Sequence, residues 1–149
     1  EKAVPLFTTN AIDNQPIPLY GDGKQMRDYQ YVIDHCEGID LVLHKGKYGE
    51  FYNVGTGVET HNIDMAKKIL DLLGKPHSLL TYVPDRAGHD RRYALDVSKL
   101  KALGWTPTHT FDQALEKTVK WFVENEKWWR PIKSGEYMEY YKKQYVERK

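Results

Sequence analysis

Nine consecutive positions, Asp85-Arg86-Ala87-Gly88-His89-Asp90-Arg91-Arg92-Tyr93, hold three arginines, a histidine and two aspartates. They follow the apolar run Leu79-Leu80-Thr81-Tyr82-Val83-Pro84, so the segment reads as a charged loop hung from a strand. A guanidinium is a planar fork that meets a phosphate at two points, and a glycine lets backbone come close to a ligand. The run therefore predicts an anion site, with a solvated turn laced by surface ion pairs as the alternative. A further cation sits in Met26-Arg27-Asp28-Tyr29-Gln30-Tyr31-Val32. An extended chain alternates its side chains, which would put Arg27, Tyr29 and Tyr31 on one face. A guanidinium beside two phenol rings suits a flat, charged ligand; a half-exposed strand covered by tyrosines is the other reading.

Other signals of chemistry are weaker. Gly55-Thr56-Gly57 resembles the start of a dinucleotide-binding turn, but the third glycine position holds Thr60, so a tight strand-to-helix turn is expected. Tyr-x-x-x-Lys pairs occur as Tyr20/Lys24 and Tyr145/Lys149. Gly21 and Gly23 oppose a helix in the first, and the second ends on the last residue, where helices fray. The histidines at 35, 44, 61, 77, 89 and 109 lack zinc-ligand spacing, and neither a nucleophile elbow nor a P-loop is present. Cys36 is expected as a small buried hydrophobe on a helix.

These residues must be carried by alternating helices and strands. Helical periodicity runs from Val4 to Asp13, Ile17 to Tyr20 is extended, and Asp34 is the expected N-cap of a helix ending near Lys45-Gly46. Phe51 to Val54 is expected as a strand, and a helix starts at about Asn62 with Ile63, Ala66, Ile69, Leu70 and Leu73 inward. Leu79 to Val83 and, more briefly, Tyr93 to Leu95 are strand candidates, and Ser98 is expected to cap a short helix. Thr110-Phe111-Asp112-Gln113 has the form of a capping box, followed by Leu115, Thr118, Val119 and Phe122 on one face. The aromatic tail 128–149 is expected to dock on this domain or a neighbour. The fold class is α/β, a partly parallel arrangement of short strands and helices.

Composition narrows the function. The 149 residues are 40% hydrophobic, enough for one core. The 22 Lys and Arg nearly balance the 21 Asp and Glu, which argues against a nucleic-acid or membrane binder and makes any anion site local. One cysteine and no membrane-length apolar run fit a reducing cytoplasm. The first residue, Glu1, and the immediate apolar periodicity suggest a piece of something longer.

Taken in order, Tyr20-Gly21-Asp22-Gly23-Lys24-Gln25-Met26-Arg27-Asp28-Tyr29, Tyr31-Val32-x-Asp34, Tyr52-Asn53-Val54-Gly55 and Leu103-Gly104-Trp105-x-Pro107 resemble the C-terminal part of an extended short-chain dehydrogenase/reductase acting on nucleotide sugars. The His89-Asp90-Arg91-Arg92-Tyr93 continuation, Asp96, Glu124 to Trp129 and Lys133 to Tyr137 make it most similar to the dTDP-glucose 4,6-dehydratase branch. Ala87 departs from the proline usual there, which loosens the loop without removing a charge. The resemblance implies that residues 1–149 are the nucleotide-sugar-binding part of a longer enzyme. The dinucleotide fingerprint, the catalytic groups and bound NAD would belong to a missing N-terminal half, leaving this chain inactive alone and the intact enzyme a homodimer. It implies contacts to dTDP-glucose or a similar nucleotide sugar from Lys2, Ala3, Pro18, Leu19, Tyr20, Arg27, Asn62, Asp85, Arg86, Ala87, Gly88 and His89. Asn62 is open between ligand contact and helix cap. The implied reaction converts dTDP-glucose to dTDP-4-keto-6-deoxyglucose and water. Rival readings are a related epimerase or decarboxylase half, or a single-stranded nucleic-acid module gripping through Tyr140, Lys142, Lys143 and Tyr145.

Overall fold

The computed structural model describes residues 2–135. In chain order these form α1 (Ala3–Ile12), β1 (Ile17–Tyr20), β2 (Met26–Asp28), α2 (Val32–Lys45), β3 (Glu59–His61), α3 (Asn62–Leu72), a 3-10 turn (His77–Leu79), β4 (Leu80–Val83), α4 (Ser98–Ala102), α5 (Phe111–Glu124) and α6 (Glu126–Ser134). The α/β class expected from the alternating periodicities is the one found. β1 and β4 pair in parallel, with Ile17 opposite Leu80 and Tyr20 opposite Val83. β2 and β3 pair antiparallel, with Arg27 opposite Thr60.

The core lies where α1, α3 and α5 pack on β1. Phe7 and Ala11, Ile17 and Leu19, Met65, Ala66, Ile69 and Leu70, and Leu115 and Val119 form one buried cluster. Each such aliphatic side chain contributes roughly 1.5–3 kcal/mol by leaving water. α5 starts on the expected capping box, Thr110 accepting from the Gln113 amide while the Gln113 side chain accepts from Thr110. α6 folds back on α5 through Trp129, which is buried and donates its indole N–H to the Phe122 carbonyl at 2.7 Å. Asp13 fastens α6 to the end of α1 by accepting from Arg130 and Lys133. Trp128, by contrast, is 60% exposed. The tail tyrosines from Tyr137 onward lie outside the described residues, and among the described residues no helix is long and apolar enough to cross a membrane.

Several local expectations are corrected. The strand at Met26 stops at Asp28, so Arg27, Tyr29 and Tyr31 do not share a strand face. Asp34 is not an N-cap: α2 begins two residues earlier, after Tyr31. Its carboxylate is buried and accepts from the Thr108 hydroxyl (2.6 Å), the His109 ring Nδ1 (2.8 Å) and the His109 amide (3.3 Å). Burial would raise its pKa, but these donors together hold it below the ordinary carboxylate value. Ser98 does not cap α4 either, because it is the first helical residue, and Asp96 accepts its amide at 2.9 Å. Tyr93 to Leu95 is not a strand; the isolated bridge to Met26 is made by the preceding Arg92.

The largest departure concerns α2 and the segment after it. Cys36 is exposed, as are Ile39 and Leu43, the latter 78%; α2 buries only Asp34 and Gly38. Residues 51–54 have no strand partner among the described residues, although Asn53 donates to the Asp96 carbonyl and Lys99 lies over the Phe51 and Tyr52 rings. An apolar helix face and an extended apolar segment thus stand side by side, uncovered. α2 approaches the rest through Gly38, where a Cβ would meet Val54 Cγ1 at 2.7 Å and the Trp105 indole nitrogen at 3.3 Å. Gly38→Ala should gain about 1 kcal/mol of helix propensity and lose ~1–3 kcal/mol to overpacking. A net destabilisation of about 1 kcal/mol in denaturant titration is the expected result, and a stabilised variant would show that Val54 yields.

Candidate anion site

The charged loop is tied to β2 by backbone. Met26 donates to the Arg91 carbonyl at 2.8 Å and Tyr93 donates to the Met26 carbonyl at 3.1 Å. The four arginines of the two sequence segments are then sorted by partner. Arg91 makes a two-point bond to Asp22 at 2.6 and 3.0 Å, and Arg92 one to Glu59 at 2.6 and 2.5 Å. The Arg91 fork holds the Asp22 carboxyl well below the ordinary carboxylate range, helped by the Lys24 amide. Two of the three loop arginines expected at an anion site are therefore fasteners, their charge spent on the Gly21–Gly23 turn and on β3.

The other two guanidiniums have no carboxylate partner among the described residues. Arg27 donates to the carbonyls of Met26 (2.7 Å) and Asp90 (2.9 Å), with the His89 ring nitrogen Nε2 3.3 Å from its Nη2. It stacks 4.1 Å from the centre of the Tyr93 ring, whose hydroxyl donates to Asp90 at 2.6 Å. The aromatic platform of Arg27 is thus Tyr93, not the expected Tyr29 and Tyr31. Arg86 lies 5.9 Å from the Tyr20 ring centre, and Tyr20 meets His89 edge-on with centroids 5.6 Å apart. Arg27 and Arg86 flank one histidine–tyrosine pair.

His89 is fixed from both sides. Its side chain is 5% exposed, and Nδ1 lies 2.6 Å from Asp85 Oδ1. An ionised carboxylate only accepts, so Nδ1 carries the proton and Nε2 turns its lone pair toward Arg27. The bond from His89 is the chief reason that Asp85 titrates below the usual carboxylate value; burial opposes it, and the Arg86 amide and Gln25 side chain add to it. Gly21 leaves room for this carboxylate: at φ +57° it turns beneath Asp85, and a Cβ there would meet Oδ2 at 3.1 Å.

Asn62, whose role was open, is the first residue of α3 and caps nothing with its side chain. Its Oδ1 accepts from the Tyr29 hydroxyl at 2.7 Å, which leaves the amide nitrogen without a partner among the described residues. Of the other expected contacts, Tyr20, Ala87 and Gly88 are exposed at or beside the loop, whereas Leu19 is in the core and can offer only backbone. Pro18 is half-buried beside it; Lys2 and Ala3 lie at the start of α1, Ala3 against the core, and no hydrogen bond joins Lys2 to the loop among the described residues.

The Gly55-Thr56-Gly57 turn does not offer its donors to a phosphate. Asp28 accepts from the Thr56 hydroxyl at 2.5 Å and the Gly57 amide at 2.8 Å, and its Oδ2 would lie 2.7 Å from a Cβ on residue 55. Reading the sequence missed Asp28, Gln25, Asp22 and Glu59, since a lone acid or amide carries no pattern until its long-range partner is placed.

Burial pushes the Tyr29 hydroxyl up to about 12 against the pull of the nearby Arg27 charge. A raised tyrosine pKa gives stability that is complete below the ordinary value of 10 and is lost as pH rises toward about 12. Tyr29→Phe should remove that alkaline slope and cost ~1–3 kcal/mol at neutral pH by leaving Asn62 Oδ1 unpaired, as urea titrations at pH 7 and pH 11 would show.

Against known proteins, the family described as GDP-mannose 4,6 dehydratase matches residues 1–118. A dTDP-glucose 4,6-dehydratase of Xanthomonas campestris pv. campestris is 48% identical over 147 residues, covering 92% of this chain and 42% of that protein. A solved dTDP-glucose 4,6-dehydratase from Streptomyces venezuelae, with NAD and TYD bound, superposes with a TM-score of 0.83 at 45% identity, over 87% of this chain and 41% of that one. A UDP-glucose 4-epimerase from Thermotoga maritima, solved with UDP-glucose, reaches 0.79 at 32% identity over 84% of this chain and 40% of its own. The chain spans about 42% of the length of the curated relatives it matches. With a match over most of its length, and with the α/β architecture of dehydratases and epimerases, this chain belongs to the GDP-mannose 4,6 dehydratase family.

Proposed function

We propose that this chain is the substrate-anchoring part of a dTDP-glucose 4,6-dehydratase, holding the nucleotide diphosphate while the rest of the enzyme does the chemistry. The observation that carries the reading is the sorting of the arginines: Arg91 and Arg92 are neutralised by carboxylates, whereas Arg27 and Arg86 face the same His89–Tyr20 pair without one. A diphosphate has the charge and the span to meet both forks. Around it, Tyr20 offers a ring, Asn62 a free amide donor, and the 85–89 loop with Pro18, Leu19, Lys2 and Ala3 the walls. Anchoring the nucleotide orients the distant sugar, so that binding energy remote from the reacting carbons lowers the barrier.

Asp28 fills the Gly55–Gly57 turn, whose sequence resembles the start of a dinucleotide site, so NAD is not assigned to that turn. The cofactor and the reacting groups are assigned to the remainder of the longer protein, and the chain alone is inactive. The uncovered face of α2, with Ile39, Leu43 and neighbouring Phe51, is where that remainder packs. The intact protein is a homodimer, and the single cysteine of these 149 residues suits a reducing cytoplasm.

In the complete protein, Arg27→Ala or Arg86→Ala should weaken dTDP binding by ~1.5–3 kcal/mol, about ten- to a hundredfold, in isothermal titration. Arg91→Ala should change it less than either, since its charge is already paired. Equal affinity in the Arg27 and Arg86 variants and the parent would refute the site. A 4-keto-6-deoxy sugar as product of dTDP-glucose supports the dehydratase; an epimerised sugar assigns the same pocket to an epimerase.

A further inference from the structure

Gln25 lies behind the charged loop, 1% exposed, between the Gly21–Gly23 turn and β2. Its side chain donates Nε2–H to Asp85 Oδ2 at 3.0 Å, and its carbonyl accepts the Asn62 amide at 3.0 Å. One buried residue thereby touches both flanks of the site: the acid that orients His89, and the backbone of the asparagine opposite. Its Oε1 has no partner among the described residues. Leaving half of a buried amide unpaired costs free energy that an apolar side chain of the same size would not incur. The cost has an explanation if the other half is needed.

The amide's orientation is dictated by Asp85, because Oε1 turned toward that carboxylate would oppose two acceptors. Asp85 itself is attached to an exposed loop, its side chain 42% exposed; among the described residues His89 and the Arg86 amide both hold the carboxylate through Oδ1, so Gln25 is the one partner that fixes Oδ2. The other oxygen of the same carboxylate takes the His89 Nδ1 proton. We propose that Gln25 is a positioning residue for the anion site: by holding Asp85 Oδ2 it fixes the carboxylate that selects the Nδ1–H tautomer of His89, which keeps a bare Nε2 toward Arg27 and that guanidinium aimed at the ligand. The inference rests on the diphosphate reading for its consequence and on the ligand-free geometry for its cause, so the two are measured separately.

The test uses the complete protein labelled with 15N-histidine, and the variants Gln25→Met, which keeps the volume and removes the donor, and Gln25→Glu, which sets a carboxylate against Asp85. Ring nitrogen shifts of His89, assigned with His89→Gln and read without ligand, report the tautomer. The parent should show protonated Nδ1 and bare Nε2; both variants should move toward a mixture. Affinity for dTDP should fall about tenfold in Gln25→Met, with its melting temperature near the parent's, a combination that loss of packing would not produce. Parent-like His89 shifts in Gln25→Met, or in Gln25→Glu should the first variant not fold, overturn the inference. If the parent binds no dTDP, the diphosphate reading fails instead, and the ring shifts still decide the role of Gln25.

Discussion

Two carboxylate–guanidinium forks, Asp22 with Arg91 and Glu59 with Arg92, govern what the rest of this surface can do. Asp22, Arg91 and Arg92 are exposed and Glu59 half-buried, and such pairs contribute little to stability. Their importance is geometric. Together with the backbone bonds between Met26 and the loop, they set the 91–93 segment beside β2 and turn its positive charge inward on the protein. Arg27 is left beside His89, and Arg86 beside the Tyr20 ring that meets this imidazole edge-on.

The same logic runs inward from the surface. His89 is held by Asp85, Asp85 by Gln25, and Gln25 by the packing of the turn against α3. Tyr29 and Asn62 form a parallel arm from the other side, with Tyr29 packed against Phe111 at the start of α5. The hydrophobic cluster beneath β1 therefore does more than stabilise the domain. It supplies a rigid floor from which two polar arms reach a shallow surface, as precise placement of charged groups requires.

Much of the architecture was legible in the sequence because it is local. The capping box at Thr110 and Gln113, the stripe of Ala66, Ile69 and Leu70, and the extended runs of β1 and β4 follow from spacing, whereas the parallel pairing of those two strands does not. What failed depended on partners distant in sequence. Asp34 looked like a cap because a short acid before an apolar run usually is one; only Thr108 and His109, more than seventy residues on, make it a buried acceptor. The apolar stripe makes Cys36 an expected buried residue and the 51–54 run an expected strand, but periodicity cannot say whether the covering surface or the strand partner lies within these residues. Arg27 and Arg86 stand out in the sequence as candidate anion ligands, but nothing in the pattern separates them from Arg91 and Arg92, whose acids lie far away in the chain.

Asp28 carries a last implication. By lying across the hydroxyl and amide of the 55–57 turn, it acts as a built-in occupant: the chain supplies its own oxyanion to a hollow that would otherwise welcome one from solution. An incoming polyphosphate would be turned away there by like charge, whereas Arg27 and Arg86 have no carboxylate partner among the described residues. On the proposed reading, plugging the competing hole then helps decide where the ligand lands, with no need to strengthen the grip at the other site.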